Sequence, residues 1–188
     1  MISERAKQLI PKARIVSFAN WKGFHSEPAI QIFQQADDRG QYLTDEDLQQ
    51  INTLSPETSA SVERAKLLRE KAAIIVQQAR EQVLATYPSI TEPGGDLYPP
   101  ARAEACWRDF WHFLRCITYG IAGNRPEFTS QTGLENMRLL YEELRVPLPA
   151  MICGLENLKI YSLQLFNPPE QELITPYFDH LINQLKQF

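Results

Sequence analysis

Residues 101–122 read ARAEACWRDFWHFLRCITYGIA. Phe110, Trp111, Phe113, Leu114, Ile117 and Tyr119 leave little polar circumference, so the segment reads as a helix packed on several sides, not as a surface helix with one apolar stripe. Gly123-Asn124-Arg125-Pro126 ends it. Residues 88–100 hold four prolines and two glycines, so no helix crosses that stretch. Further upstream, Val62, Ala65, Leu68, Ala72, Ile75, Val76, Ala79, Val83 and Leu84 recur at helical spacing. That long helix starts at Ser55-Pro56-Glu57, a capping serine, a proline at the first helical position and an acid, and it ends near Tyr87-Pro88. Two long helices around a proline-rich loop, with almost no strand-like alternation, make the chain all-α.

The remaining elements follow outward. Pro28 opens a helix through Ile30, Ile32 and Phe33 to about Asp38, and Gly40 stops it. Thr44 and Asp47 form a capping pattern for a helix from Asp45 that turns Leu48 and Ile51 inward. These two helices form an N-terminal hairpin. Beyond the second long helix, three more run over about 131–145, 148–166 and 169–187, with Pro147, Pro149, Pro168 and Pro169 at the breaks. Unequal helices with an N-terminal hairpin predict a globin-like helical bundle over residues 28–188. Residues 1–27, punctuated by Pro11 and by Trp21-Lys22-Gly23, are expected to be a separate N-terminal extension containing a short amphipathic helix between Ser3 and Arg14.

Composition narrows the function. The 188 residues are 44% hydrophobic and 22% charged, as in an ordinary globular domain. A net charge of −4 and no basic stripe argue against a nucleic-acid partner. There is no apolar run long enough for a transmembrane helix and no secretory signal. Cysteines at 106, 116 and 153 lack zinc spacing and cannot all pair, so a reducing, cytoplasmic location is expected. No nucleophile–base pair, phosphate loop or metal cluster stands out, so an enzyme is not expected. His112 lies among aromatics with no second ligand in view, which makes a haem site the weaker reading. Cys116 and Cys153 read as buried thiols. Trp21 and Phe24 read either as anchors for a partner or as side chains tucked back onto the domain.

The chemistry concentrates at Cys106-Trp107-Arg108-Asp109. Residues three apart share a helix face, so Cys106 and Asp109 look into one space, with Phe113 continuing the face and Arg102 preceding it. Arg108 lies about 200° around and reaches that space only through its long side chain. One thiol, one carboxylate, nearby arginines and aromatic walls suit a flat, extended molecule with N–H donors in its middle and carboxylates at its edge. A linear tetrapyrrole has these features. The same residues also read as a buried structural thiol beside an ordinary Arg-Asp ion pair.

A wider set of segments resembles the phycobiliproteins. Pro93-Gly94-Gly95-Asp96-Leu97-Tyr98 is similar to their proline–glycine–glycine–asparagine–x–tyrosine loop, and it stands ahead of Cys106-Trp107-Arg108-Asp109 as in their chromophore region. Residues 113–121, FLRCITYGI, resemble the continuation of the chromophore helix. Residues 36–43, ADDRGQYL, resemble the turn of the N-terminal hairpin, and residues 140–144 with Pro147 resemble the following helix and its end. Residues 176–182, PYFDHLI, resemble the C-terminal helix of allophycocyanin-type α chains. The chain departs from the pattern at Asp96, which replaces asparagine, at Trp107, at Trp111-His112-Phe113 and in its N-terminal extension.

That resemblance implies covalent attachment of a bilin, phycocyanobilin or a relative, through a thioether at Cys106. It implies Asp109 at the central pyrrole nitrogens, Arg108 on a propionate, and the loop at Asp96 and Tyr98 as a wall. Phe113 and Tyr141 are further contacts. It implies light harvesting or energy transfer in or beside a phycobilisome, at the cytoplasmic face of the thylakoid membrane. The partners would be phycobiliprotein subunits or a second copy, docked through the hairpin. Two other roles fit the departures. One is a bilin carrier or chaperone outside the antenna, working with a bilin lyase or bilin reductase. The other is a structural assembly protein with an empty pocket.

Overall fold

The computed structural model describes residues 2–188; Met1, the first residue of the expected extension, lies outside them. The described residues contain eight α-helices: α1 Glu4–Leu9, α2 Glu27–Asp38, α3 Asp45–Leu54, α4 Ser59–Thr86, α5 Pro100–Ala122, α6 Gln131–Leu144, α7 Leu148–Leu163 and α8 Pro168–Leu185. The chain is the expected all-α, globin-like bundle, with α2 and α3 as its hairpin. Helix α5 is the central element, packed on α4, α7 and α8, while α7 also lies along α4. Phe110, Leu114, Ile117 and Tyr119 of α5 are completely buried. None of the described helices is long and apolar enough to cross a membrane.

The local signals mostly act as expected. Thr44 and Asp47 form a reciprocal capping box, with the Thr44 Oγ1 accepting from the Asp47 N–H and the Asp47 carboxylate accepting from the Thr44 N–H. Ser130 and Asn167 cap α6 and α8. Ser55 behaves differently. Its hydroxyl makes no cap bond but sits 3.2 Å from Nδ1 of the buried His25, and Pro56–Thr58 form a 3₁₀ turn before α4 begins. Helix α7 stops at Leu163, short of the expected Phe166, because the Gln171 amide donates to the carbonyls of both Leu163 and Phe166 at 2.9 Å and so satisfies the end of the helix from outside.

Residues 2–25 form a strap bound tightly to the bundle. Phe18 and Trp21 are buried and join the same apolar core as the helices. Trp21 meets Phe33 of α2 edge-on at 4.9 Å, and Phe18 lies 6.1 Å from Tyr119 of α5. Both rings therefore tuck back, whereas Phe24 stays 57% exposed under the Arg125 guanidinium. The Ser17 N–H donates to the Phe128 carbonyl at 2.9 Å and the Ser130 N–H to the Ile15 carbonyl at 2.7 Å. At the front of the strap, the Ser3 hydroxyl donates to the Glu143 carboxylate of α6 at 2.6 Å.

Gly133 makes this docking possible. A Cβ there would lie 1.7 Å from the Arg14 carbonyl oxygen. The sign of a Gly133→Ala change is therefore diagnostic. Alanine gains about 1 kcal/mol over glycine inside a helix, yet overpacking against fixed backbone costs about 1–3 kcal/mol or more. With the strap docked, Gly133→Ala lowers the urea midpoint; an undocked strap would leave only the helix gain, and the midpoint would rise.

Candidate functional site

A cavity of about 1100 Å³ opens along one face of α5. It is at the upper end of small-molecule sites, which run to about 1,000 Å³. Cys106, Arg108, Asp109 and Phe113 line it from α5, and Met137, Leu140 and Tyr141 line it from α6. The strap supplies Ile10, Ala13 and Ile15 on a further side. Cys106, Asp109 and Phe113 share the cavity because their spacing puts them on one helix face. Arg108 is exposed and reaches the same space from the flank.

The loop before α5 contributes differently from the expectation. Asp96 and Tyr98 are exposed and are not among the lining residues; Leu97 between them is 1% exposed and does line the cavity. The loop is folded back on itself by the Leu97 N–H donating to the Ile90 carbonyl at 2.8 Å. Gly95 allows that approach, since a Cβ there would meet the Ser89 carbonyl oxygen at 2.3 Å. Arg102 locks the loop to the end of α6. Its guanidinium donates to the carbonyls of Asp96, Leu144 and Arg145, all at 3.0 Å. Arg102 thus braces the cavity rim through Nε and Nη2.

The unusual aromatics leave the cavity open. Trp107 packs beside Phe110 with Arg80 over its ring, and Trp111 meets Tyr42 of the hairpin edge-on at 4.7 Å. Neither lines the cavity, although His112 does. Burial, with the positive Arg115 and Arg108 nearby, pushes the His112 imidazole down to about 4, so it is neutral at pH 7. Its Nδ1 accepts from Arg115 Nε at 3.2 Å.

Of the carboxylates that line this cavity, Asp37 and Asp109 sit under opposite conditions. Asp37 accepts from Arg14 at 2.5 Å on one oxygen and from Arg115 at 2.9 Å on the other. Asp109 has a single side-chain partner among the described residues, the Tyr141 hydroxyl, which donates to it at 3.0 Å. A carboxylate has room for about four hydrogen bonds, so Asp109 keeps most of its acceptor capacity for a ligand's N–H groups. Burial pushes its carboxyl up to about 6, against the opposing pull of the Tyr141 hydrogen bond and the Arg108 charge. Burial and the Asp109 charge push the Cys106 thiol up to about 12. Among the described residues no cluster of metal ligands occurs.

The sequence reading placed neither Ile10, Ala13 and Ile15 of the strap nor the Asp37–Arg115 pair at the site. The latter pair left one signal: Arg115 and Tyr119 stand four apart on α5, and the Tyr119 hydroxyl accepts from Arg115 at 2.7 Å. Cys116 is buried beside this network, while Cys153 is half-buried with its sulfur 3.9 Å from the Thr86 hydroxyl.

The Asp109 shift gives a pH dependence. Its folded value of about 6 lies above the ordinary 3.8, so the folded chain holds this proton longer than the unfolded chain. The resulting stabilisation is complete below about pH 4 and is lost as pH rises through about 6. For protein produced without any tetrapyrrole, the melting temperature of wild type should fall relative to Asp109→Asn between pH 4 and 7. Asparagine stays neutral and still accepts from Tyr141, so the variant should be the more stable of the two at pH 7. Parallel curves would show that Asp109 is well solvated.

The sequence profile of the family described as phycobilisome protein matches residues 31–185, from α2 to the end of α8. Allophycocyanin subunit alpha-B of Synechocystis sp. is 32% identical over 152 residues, covering 81% of this chain and 94% of that protein. The allophycocyanin alpha-B chain of Porphyra purpurea gives the same identity and coverage. Allophycocyanin subunit alpha-B of Nostoc sp. is 32% identical over 158 residues, covering 82% and 96%. The matched region includes both helices that carry Cys106, Asp109 and Tyr141, and on these matches the chain belongs to the phycobilisome protein family.

Proposed function

We propose that this chain is a light-harvesting pigment protein that carries a linear tetrapyrrole, phycocyanobilin, on Cys106. Membership of a family of pigment proteins sets it apart from enzymes. The observation that carries the reading is one cavity of about 1100 Å³ that holds a buried thiol, a carboxylate with free acceptor capacity and an arginine. The donor set fits the pigment. Asp109 accepts from pyrrole N–H groups, Arg108 is placed for a propionate, and Phe113, Leu97 and Tyr141 give apolar walls. The pigment, when bound, supplies absorption of visible light. The protein holds it extended and keeps its central nitrogens beside a negative charge.

Attachment is an addition without redox change. The Cys106 S–H adds across a carbon–carbon double bond at the edge of the first ring: sulfur bonds to one carbon and the proton goes to the other. Only the thiolate attacks readily. With a thiol near 12, about one Cys106 in 10⁴ is ionised at pH 8. This supports a bilin lyase as a partner that supplies the base.

The relatives named as allophycocyanin subunits support assembly with other phycobiliprotein subunits; docking of such a subunit or of a second copy through the α2–α3 hairpin, at the cytoplasmic face of the thylakoid membrane, is part of the same proposal. One observation favours a second reading, a bilin carrier outside the antenna that works with a lyase or a bilin reductase. The strap lays Phe18 and Trp21 on Phe33 of α2 and binds Asp37 through Arg14, so part of the hairpin's surface is already covered from within the chain.

The test is to produce the full chain in cells that make phycocyanobilin and a bilin lyase, then to denature it in acid. The reading predicts pigment retained on wild type and lost from Cys106→Ala. Native colour that washes off wild type in acid would favour the carrier. A colourless product would overturn both. Co-elution with allophycocyanin subunits on size exclusion supports the antenna role, and failure to co-elute supports the carrier.

A further inference from the structure

We propose that the N-terminal strap is a ligand-contacting wall of the tetrapyrrole site, with Ile10 and Ala13 lying against the pigment and the Arg14–Asp37 ion pair latching the wall in place. This rests on the bilin reading above. The cavity presents Cys106 and Asp109 from α5, and Ile2, Ile10, Ala13 and Ile15 from the strap. Ile2 and Ile10 are 53% and 48% exposed at its margin. Isoleucines half-open to water beside a cavity become buried when a flat apolar surface fills it, and that burial stabilises the bound state. The arrangement turns a groove on α5 into a site enclosed on one more side.

The wall is preformed. Arg14 donates to Asp37 at 2.5 Å and to Asp38 at 2.7 Å. Backbone bonds at Ile15 and Ser17 tie the strap to residues 128–130, and the Ser3 and Arg5 side chains hold its front end to Glu143. A wall already ordered costs little further entropy when the ligand arrives. Arg14 is committed to two carboxylates, so it acts as the latch and not as a propionate partner. Arg108 makes no ion pair among the described residues and stays available for that role.

The experiment uses the full chain with and without attached phycocyanobilin, read by hydrogen–deuterium exchange, together with an Ile10→Asp variant. Ile10 is half-exposed, so the pigment-free variant should melt with wild type. Attached pigment should slow exchange of the amides between residues 5 and 16 at least tenfold. In a Cys106→Ala background, Ile10→Asp should weaken non-covalent retention of the pigment at least tenfold. Pigment held by wild type with unchanged exchange in the strap, and with retention unaffected by Ile10→Asp, would overturn the wall and leave the bilin reading standing. A wild-type chain that takes up no pigment overturns the bilin reading and the wall with it.

Discussion

Asp37 is a buried carboxylate clamped between two arginines far apart in the chain. Arg14 comes from the strap, Asp37 from the end of α2 and Arg115 from the middle of α5, and the side chains of Asp37 and Arg115 are only 6% and 9% exposed. Removing one member of such a buried pair costs about 3–5 kcal/mol, because the charge left behind has no compensation. The network does not end there. Arg115 also donates to His112 and to the Tyr119 hydroxyl, and that hydroxyl donates to the Gln41 carbonyl in the hairpin turn. Strap, hairpin and central helix are therefore fixed to one another at one point, and that point is a wall of the cavity.

The placement explains why the cavity has a polar and a receptive end. Near Asp37 the charges are mutually satisfied, and a ligand gains little by competing for them. Less than two turns from Arg115 along α5, Asp109 has a tyrosine hydroxyl and, among the described residues, no cation at hydrogen-bonding distance, beside a thiol that burial keeps protonated. A molecule with N–H groups at its centre and a reactive edge is drawn to the second end. The tryptophans that distinguish this chain pack away from the cavity, Trp107 beside Phe110 under Arg80 and Trp111 on Tyr42, and so leave that end open.

Much of this was legible in the residues. The periodicity of α4, the all-round apolarity of α5 and the Thr44 capping box act through neighbours within one or two turns, which a sequence shows directly. The same holds for Cys106 and Asp109, whose shared face follows from helical spacing. What was not legible depends on partners far apart in the chain. Gly133 looks like an indifferent helix residue until the Arg14 carbonyl lies against it. Ser55 reads as a cap because its true partner, His25, stands thirty residues away. Asp96 and Tyr98 carry the resemblance of the loop, yet the turn around Gly95 sends Leu97 inward in their place.

The most direct measurement is a crystal structure of the full chain carrying its pigment. The account predicts tetrapyrrole density continuous with Cys106 Sγ, with central nitrogens about 3 Å from the Asp109 carboxylate, enclosed between α5, α6 and the strap. Pigment joined to Cys116 or Cys153, or lying outside the cavity, would contradict it.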